Sequence, residues 1–289
     1  MQEHVCVTCE DGYTLSATLF RPESAPRGAI LIAPATGIKR QFYASFATFL
    51  ADYGYAVLTF DNRGIGDSLN ESIRHCKADL VAWGKQDMPA ALDTLMYHYP
   101  DTQYFLVGHS AGGQLIGLMH NADKLSAFIN YGSSSGSLRN MRPRYRLKAH
   151  FFMNVFIPVS NLLLGHTRSN WVGMGEPLPK GVARQWRQWC NGSGYVKTSF
   201  GSEVTEHQYE DLAAPSKWII ASDDDIANEQ NLKEMIDVYG ASKSRYCVLF
   251  PAACGLDNIG HMRFFSRQSQ RLWPLVTNFF DEYVPAPAM

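Results

Sequence analysis

The stretch VGHSAGG, residues 107–113, places Ser110 between two glycines, one two residues before it and one two residues after it. It follows the apolar run YFLV, which is typical of a strand buried on both faces. A sharp turn out of such a strand brings nearby backbones together, and glycine removes the β-carbons that would clash. The pattern predicts a strand–turn–helix unit that exposes the serine hydroxyl beyond the end of a sheet. A glycine-rich turn whose serine only caps the helix is the alternative.

Apolar runs and amphipathic segments alternate on both sides of this turn. The patterns predict buried strands within residues 28–35, 55–64, 103–110, 127–136, 216–224 and 244–252, and helices within residues 42–54, 78–99, 228–240 and about 262–282. A hairpin through Glu10-Asp11-Gly12 precedes them. Strands that alternate with helices form parallel sheets covered on both faces. We therefore expect an α/β fold with a mostly parallel central sheet and helices on both faces.

The alternation is interrupted between residues 138 and 211, which are rich in Arg, Trp, Gly and Pro and show no clear alternation of strands and helices. We expect residues 1–137 and 212–289 to form one core, and residues 138–211 to form a lid over one end of its sheet. The lid carries many apolar side chains, including Trp171, Trp186, Trp189 and the run at residues 151–164. They favour a partly apolar substrate, but they could also serve only to pack the lid or to pair two lids in a homodimer.

Charge and hydropathy narrow the classes of partner. The 26 Lys and Arg residues nearly balance 27 Asp and Glu residues, and the net charge of −1 gives no reason for nucleic acid or an anionic membrane to be the main partner. The basic cluster at residues 139–148 favours either an anionic group on the substrate or a solvated helix face. The longest apolar segment, residues 151–165, is interrupted by polar residues and falls short of the ~20 residues that span a bilayer. We expect no stable membrane insertion.

The N-terminus and the cysteines favour a cytoplasmic protein. Residues 1–14 contain neither the basic nor the apolar region of a secretory signal. The six cysteines are scattered, mostly in apolar runs, and this favours buried free thiols in a reducing compartment. Cys6 and Cys9 form a lone C-x-x-C, without the second pair or the histidine of a metal site. We expect no bound metal.

The stretch around Ser110 is similar to the G-x-S-x-G nucleophile elbow, and through it the chain resembles the α/β-hydrolase superfamily. DNRGIGDS, residues 61–68, resembles the D-x-R-G-x-G-x-S loop of that family, in which we expect Asp61 and Arg63 to pair. The overall pattern is similar to the branch described as predicted hydrolases or serine-aminopeptidase-like proteins, a name that does not establish peptidase activity. The resemblance implies an α/β-hydrolase fold and acyl transfer to serine without an organic cofactor.

The family order of serine, acid and histidine implies three catalytic residues. Ser110 is the nucleophile, and His261, in the loop NIGHMRFF, is the base. The family pattern laid on ASDDDIAN makes Asp224 the acid that orients the base. The pattern's glycine is alanine here, so Asp223 and Asp225 remain alternatives.

An oxyanion hole needs two backbone N–H groups. The resemblance implies Ala111 as one donor and a residue after the first buried strand as the other. Pro34 has no N–H, so the second donor is Ala35 or Thr36. The site as a whole predicts hydrolysis of a carboxylic ester of a small-molecule acyl substrate through an acyl-enzyme. Amide, peptide or thioester cleavage, acyl transfer, and a non-catalytic binding role are the alternatives.

Overall fold

The computed structural model describes residues 1–285 of the chain, which form a sheet of eight strands and a separate pair of two-residue strands. The strands are β1 Gln2–Thr8, β2 Thr14–Phe20, β3 Ala29–Ala33, β4 Ala56–Phe60, β5 Tyr104–His109, β6 Leu125–Tyr131, β7 His166–Thr167, β8 Leu178–Pro179, β9 Ser216–Ala221 and β10 Ser244–Leu249. The order in the large sheet is β1-β2-β4-β3-β5-β6-β9-β10. Strands β7 and β8 pair with each other.

Most of the large sheet is parallel. The hairpin β1–β2 and the contact of β2 with β4 are antiparallel, whereas all strand pairs from β4 to β10 are parallel. Every residue of β3, β4 and β5 is buried, as expected for strands covered on both faces. The predicted α/β class is confirmed.

Helices cover both faces of the sheet. They are α1 Ala44–Asp52, α2 Leu80–Ala82, α3 Met88–His98, α4 Ala111–Gln114, α5 Pro143–Phe151, α6 Ile157–Leu164, α7 Lys180–Asn191, α8 Glu229–Ile236 and α9 Pro274–Phe280. Helices α1 and α9 pack on one face with strand residues such as Ile30 and Ile32. Helices α3 and α8 pack on the other face, where the alternate strand residue Leu31 lies.

Two predicted helices differ from their observed form. The helical pattern at residues 78–99 is interrupted in the sequence, but a π turn, Trp83–Asp87, joins α2 to α3 without a break. The closing helix is shorter than predicted, because two 3₁₀ turns, Arg263–Phe265 and Arg267–Leu272, precede α9. Pro274 is favoured at the first turn of α9, since its missing N–H needs no partner there.

Residues 138–211, which show no clear alternation of strands and helices in the sequence, contain regular helices. Helix α5, a π turn at Phe152–Phe156 and helix α6 form one continuous helix, Pro143–Leu164, and α7 follows. By length and composition this is the one helix in residues 1–285 that could cross a membrane, and only a small part of it is buried. The predicted apolar segment is therefore part of a longer helix than the sequence pattern indicated.

The expected pair of Asp61 and Arg63 does not form. Asp61 instead accepts hydrogen bonds from the main-chain N–H and guanidinium of Arg40, and Arg63 donates to Asp87 and Asp11, each at 2.6 Å. The cysteines also differ from expectation in part. All six are free, but Cys6 is exposed and two others are only partly buried.

Candidate active site

Ser110 lies between β5 and α4 in a strained backbone conformation. Its φ is 49° and its ψ is −112°, a region that residues with a β-carbon rarely adopt. The N–H of Ser110 donates to the main-chain oxygen of Tyr131 on β6. The hydroxyl of Ser133 donates to the main-chain oxygen of Ser110, at 2.9 Å. Contacts from the neighbouring strand thus hold the strained turn in place.

The glycines of the turn are required by close backbone contacts. A β-carbon on Gly108 would lie 2.5 Å from the Cα of Gly113, and one on Gly112 would lie 2.1 Å from the main-chain oxygen of Ala33. Both distances are well inside van der Waals contact. The two glycines therefore allow α4 to approach β5 and β3, which explains their positions on either side of the serine.

His261 and Asp224 form a short hydrogen bond. The Nδ1 atom of His261 lies 2.7 Å from Oδ2 of Asp224. The other carboxylate oxygen, Oδ1, accepts the N–H groups of Ile226 and Ala227 at 2.8 and 2.9 Å. Burial favours the neutral form of each group, but the interaction of the two prevails. It lowers the pKa of Asp224 and raises the pKa of His261 above its ordinary value.

The three adjacent aspartates have different partners. Asp224 contacts the imidazole of His261. Asp223 accepts the main-chain N–H groups of Ile259 and Gly260 at 2.9 and 3.0 Å, directly before His261. Asp225 is half-exposed and lies 3.8 Å from Arg142. Of the alternatives in the sequence, Asp224 is thus the carboxylate at the imidazole, and Asp223 holds the loop that carries it.

Ser110 and His261 line the same cavity, of about 800 Å³. Among the hydrogen bonds within residues 1–285, none joins the Ser110 hydroxyl to the imidazole of His261. Catalytic hydrogen bonds are often long in the absence of substrate and shorten when it binds. A hydrogen bond between the Ser110 hydroxyl and the imidazole of His261 therefore needs a movement of at least one of these two side chains.

The two candidates for the second oxyanion donor are distinguished by Tyr43. The N–H of Ala35 donates to the hydroxyl of Tyr43 at 3.0 Å, and Tyr43 is fully buried. Thr36 also lines the cavity, and within the described chain neither its N–H nor that of Ala111 donates to a protein acceptor. Ala111 and Thr36 thus have the free N–H groups, whereas the N–H of Ala35 is already bound.

His109 takes part in the site in a way that the sequence did not indicate. Its Nε2 lies 2.9 Å from the main-chain oxygen of His261, and its Nδ1 lies 2.8 Å from the hydroxyl of Tyr43. Burial, with a contribution from His261, lowers the pKa of His109 to about 3, so the ring is neutral. A carbonyl only accepts, so Nε2 carries the proton and Nδ1 accepts from Tyr43. This chain of hydrogen bonds links the loop of Ala35 to the loop of His261.

Gly132 is a second residue that the sequence did not single out. It follows β6 with a φ of 62°, and a β-carbon there would lie 3.0 Å from Cε1 of His261. A larger residue would push the imidazole away from its place. No signal in the sequence indicated it, because Gly132 falls inside the strand predicted within residues 127–136, whereas the observed strand ends at Tyr131.

Apolar side chains from residues 138–211 form much of the cavity wall. The lining includes Ser110, His261, Ala35 and Thr36 of the core, and Met141, Tyr145, Leu147, Phe151, Phe152, Met153, Val172, Met174, Trp186 and Cys190 of residues 138–211. The described residues that line it include no Asp or Glu. Trp186 thus faces the cavity, whereas Trp189 is buried against Ser199 and Trp171 is exposed. The cavity suits an uncharged, largely apolar ligand.

Comparison with known proteins gives one family. Residues 15–185, more than half of the chain, match the family described as "Serine aminopeptidase, S33". A monoglyceride lipase from Mus musculus is 29% identical over 105 residues, which are 36% of this chain and 34% of that protein. The matched segment thus spans about a third of that relative's length.

Solved structures are similar over nearly the whole chain. A thermostable carboxyl esterase from Bacillus coagulans, in complex with glycerol, has a TM-score of 0.67 at 13% identity and covers 98% of this chain and 99% of its own. A soluble variant of monoglyceride lipase from Saccharomyces cerevisiae, in complex with a substrate analogue, has a TM-score of 0.68 at 14% identity, with 99% and 96% covered. At these identities the likeness establishes the fold.

Proposed function

Because this chain belongs to the serine aminopeptidase S33 family of α/β hydrolases, we propose that it is a serine hydrolase that cleaves the carboxylic ester of a small, partly apolar substrate. One observation carries the proposal. A strained serine on an elbow and a histidine bound to a buried aspartate face one apolar cavity. A residue pair of this kind activates a serine hydroxyl, which is otherwise a weak nucleophile.

In the first half of the reaction the hydroxyl oxygen of Ser110 attacks the ester carbonyl. His261 accepts the hydroxyl proton at Nε2 while Asp224 holds the proton on Nδ1 and stabilises the imidazolium. The carbonyl oxygen, now negatively charged, accepts hydrogen bonds from the N–H groups of Ala111 and Thr36. The imidazolium then protonates the departing alkoxide, and an acyl ester of Ser110 remains.

In the second half water replaces the alcohol. His261 removes a proton from the water, whose oxygen attacks the acyl carbonyl of the Ser110 ester. The same two N–H groups stabilise the new oxyanion. Collapse of this intermediate returns the proton to Ser110 and releases a carboxylic acid.

The walls of the cavity suggest the class of ester. Phe151, Phe152 and Met153 offer apolar surface for an acyl chain in the cavity that Ser110 also lines. The sequence match to a monoglyceride lipase supports an ester of a fatty acid with a small polyol, such as a monoacylglycerol. Residues 138–211 then act as a lid that excludes water from the acyl chain, and residues 1–137 and 212–285 act as the catalytic core, whose expected last residues, 286–289, lie outside the described part of the chain.

Peptide cleavage is less well supported, although the family name refers to it. An aminopeptidase binds the charged amino group of its substrate, for which a carboxylate is the natural partner. The side chains of residues 1–285 that line the cavity supply none, and they include the cation Lys148. An ester, which has no charge to balance, fits this lining better.

Intact mass after exposure to a fluorophosphonate tests the proposal. We expect one adduct on the wild-type chain and none on Ser110→Ala. Ser126→Ala is the matched control, because Ser126 lies on β6 beside β5, but its hydroxyl donates to Gln103 and it does not line the cavity. A panel of monoacylglycerols and amino-acid amides then distinguishes the substrates. No adduct on folded wild-type protein, with no hydrolysis of any ester, would refute the proposal.

A further inference from the structure

The helix Pro143–Leu164 presents a row of exposed apolar side chains to the outside. Its members are Leu147, Phe151, Val155, Val159, Leu162 and Leu163, which we call the outer row. Leu162 is 83% exposed and Leu163 is 73% exposed, and a contiguous row of exposed large apolar residues is typical of an interaction surface. The buried residues of the same helix, among them Ala149, Met153 and Ile157, lie two positions away on the opposite face. The helix is therefore apolar on both sides, and only the inner side packs on the protein.

The π turn keeps the outer row straight. Four steps of four residues, from Leu147 to Leu163, would drift by about 160° around an unbroken α-helix. The π turn at Phe152–Phe156 takes up one extra residue and removes about 100° of that drift. The apolar side chains therefore form one contiguous stripe, where an ordinary helix would spread them around its circumference.

The charged residues of the segment that carries the outer row are all basic. Residues 138–175 contain six Arg and Lys residues and no Asp or Glu. Among the salt bridges of the described residues, none includes Arg144, Arg146 or Lys148, and all three are exposed. The net charge of the chain is −1, so the rest of the molecule is acidic. An apolar stripe next to unpaired cations is complementary to the acyl and headgroup layers of an anionic bilayer.

Polar contacts keep this helix on the protein. Asn161 accepts from the Thr167 hydroxyl and donates to the oxygen of Lys180, and the Ser160 hydroxyl donates to the oxygen of His166. Asn154 is hydrogen-bonded to Asn191 of α7. Crossing a bilayer would break these contacts and place the amides in hydrocarbon, which is costly. The helix is thus suited to lie along an interface, with its outer row facing the lipid.

We propose that the outer row and its neighbouring cations dock this protein reversibly on an anionic lipid bilayer. The cavity of Ser110 opens beside this surface, because Leu147 and Phe151 belong to both the outer row and the cavity wall. Trp171, which is 65% exposed, adjoins Val172 of the same wall and is a residue favoured at bilayer interfaces. Docking would direct the cavity towards the membrane. Docking itself does not need hydrolysis, and only the delivery of an ester from the bilayer rests on the proposed function.

Co-sedimentation with vesicles tests the docking. The probes are vesicles of pure phosphatidylcholine and vesicles in which about a third of the lipid is phosphatidylglycerol. We expect the chain to bind and sediment with the anionic vesicles, and to bind the neutral vesicles at least ~10-fold more weakly. At about 0.5 M salt we expect weak binding to both kinds of vesicle. The assay measures no catalysis, so its result is independent of whether Ser110 reacts.

Paired variants separate the two contributions. The double variant Leu162→Glu with Leu163→Glu places negative charge in the apolar stripe. The double variant Arg144→Glu with Arg146→Glu reverses the charge at two of the cations. Each double variant should weaken vesicle binding at least ~10-fold. None of these four residues lines the cavity. The controls are Tyr97→Glu on α3, where the tyrosine is 84% exposed, and Lys243→Glu, both outside residues 138–211 and both expected to bind as the wild type does. Circular dichroism establishes that each variant is folded.

Three results would overturn the proposal. The first is a wild-type chain that sediments with neither vesicle at low salt. The second is undiminished binding by the leucine variant or the arginine variant. The third is a wild-type chain that is a dimer in solution and a leucine variant that is a monomer, with neither protein binding vesicles. The outer row would then pair two copies of this chain.

Discussion

The imidazole Nε2 of His109 lies 2.9 Å from the main-chain oxygen of His261. The same ring accepts a hydrogen bond from the buried hydroxyl of Tyr43, which in turn accepts the N–H of Ala35. Three hydrogen bonds therefore join the loop before α1, the elbow and the loop of the proposed base. Tyr43, Ala35 and the ring of His109 are buried, so a polar group among them that loses its hydrogen-bond partner costs stability.

The substitution Tyr43→Phe tests whether this chain of hydrogen bonds positions His261. It removes one hydroxyl and leaves the N–H of Ala35 and Nδ1 of His109 without a partner. We expect a loss of about 1–3 kcal/mol in the free energy of unfolding. Because the loop of His261 loses part of its support, we also expect kcat for a soluble short-chain ester to fall about 10- to 100-fold, with KM little changed.

Tyr55→Phe is the matched control. Tyr55 is also buried, and its hydroxyl donates to Asp281 at 2.7 Å, but it does not line the cavity. Denaturant unfolding should give a similar loss of stability, whereas kcat should equal that of the wild type. A Tyr43→Phe enzyme that keeps its full kcat would mean that the chain of hydrogen bonds is only structural.

The pH profile of kcat/KM tests the pair of His261 and Asp224. The base must be neutral to act, and the carboxylate holds the pKa of His261 above its ordinary value of 6.5. Activity should therefore fall with decreasing pH through a point above 6.5. In Asp224→Asn the carboxylate that raises the pKa of His261 is gone, whereas burial, which lowers that pKa, remains. The acid limb of the profile should therefore move to lower pH. The maximal kcat should fall about 10³- to 10⁴-fold.

Asp225→Asn is the control for this profile. Asp225 is adjacent in sequence and half-exposed, and its salt bridge within residues 1–285 is with Arg142 at 3.8 Å. Its substitution should change neither the acid limb nor kcat. An acid limb that stays in place in Asp224→Asn would assign the titration to another group.

The sequence was most informative where local chemistry decides the structure. The spacing of Gly108 and Gly112 around Ser110 follows from contacts within one turn and its neighbouring strand, and it indicated the elbow. Long-range partners were not predictable. Asp61 and Arg63 are two residues apart, but their partners Arg40 and Asp87 lie 21 and 24 positions away. These pairs meet only when the chain folds, and no local sequence pattern indicates which residues will pair.

The helix Pro143–Leu164 was missed for a different reason. A helix of the core is recognised by apolar residues on one face and polar residues on the other. Here Leu162 and Leu163 face outward and Ile157 faces inward, so hydropathy shows no helical period. The features that conceal this helix from sequence analysis are the same ones from which we infer a lipid-facing surface.

Gly132→Ala tests the space next to the imidazole. A β-carbon there would lie 3.0 Å from the ring of His261, and the φ of 62° is unfavourable for alanine. We expect a stability loss of about 1–2 kcal/mol from the backbone, and a lower kcat because the ring must move. Gly12→Ala is the control, since Gly12 has a φ of 81° and open space around it. It should lose similar stability with unchanged kcat. Equal kcat in both variants would show that the ring tolerates the contact.

Arg63→Met tests the buried ion pair of Arg63 and Asp87, which forms where the sequence had suggested a pair of Asp61 and Arg63. Arg63 contacts Asp87 at 2.6 Å, and Asp87 is fully buried. Without the guanidinium this carboxylate is left uncompensated, so we expect unfolding experiments to give a loss of about 3–5 kcal/mol. Arg245→Met, at an exposed pair with Glu282, should cost at most about 1 kcal/mol.

The double variant Arg63→Met with Asp87→Asn distinguishes two contributions to this loss of stability. One is the loss of the attraction between Arg63 and Asp87, and the other is the cost of a buried carboxylate without a cationic partner. Asn has no charge to desolvate, so the double variant should be more stable than Arg63→Met alone, by about 1–3 kcal/mol. Burial already raises the pKa of Asp87 to about 7 in the presence of Arg63. In Arg63→Met the pKa of this carboxyl should rise further, so the loss of stability relative to the wild type should grow as the pH rises above about 7. A pH-independent loss, with no recovery in the double variant, would mean that Arg63 acts through packing alone.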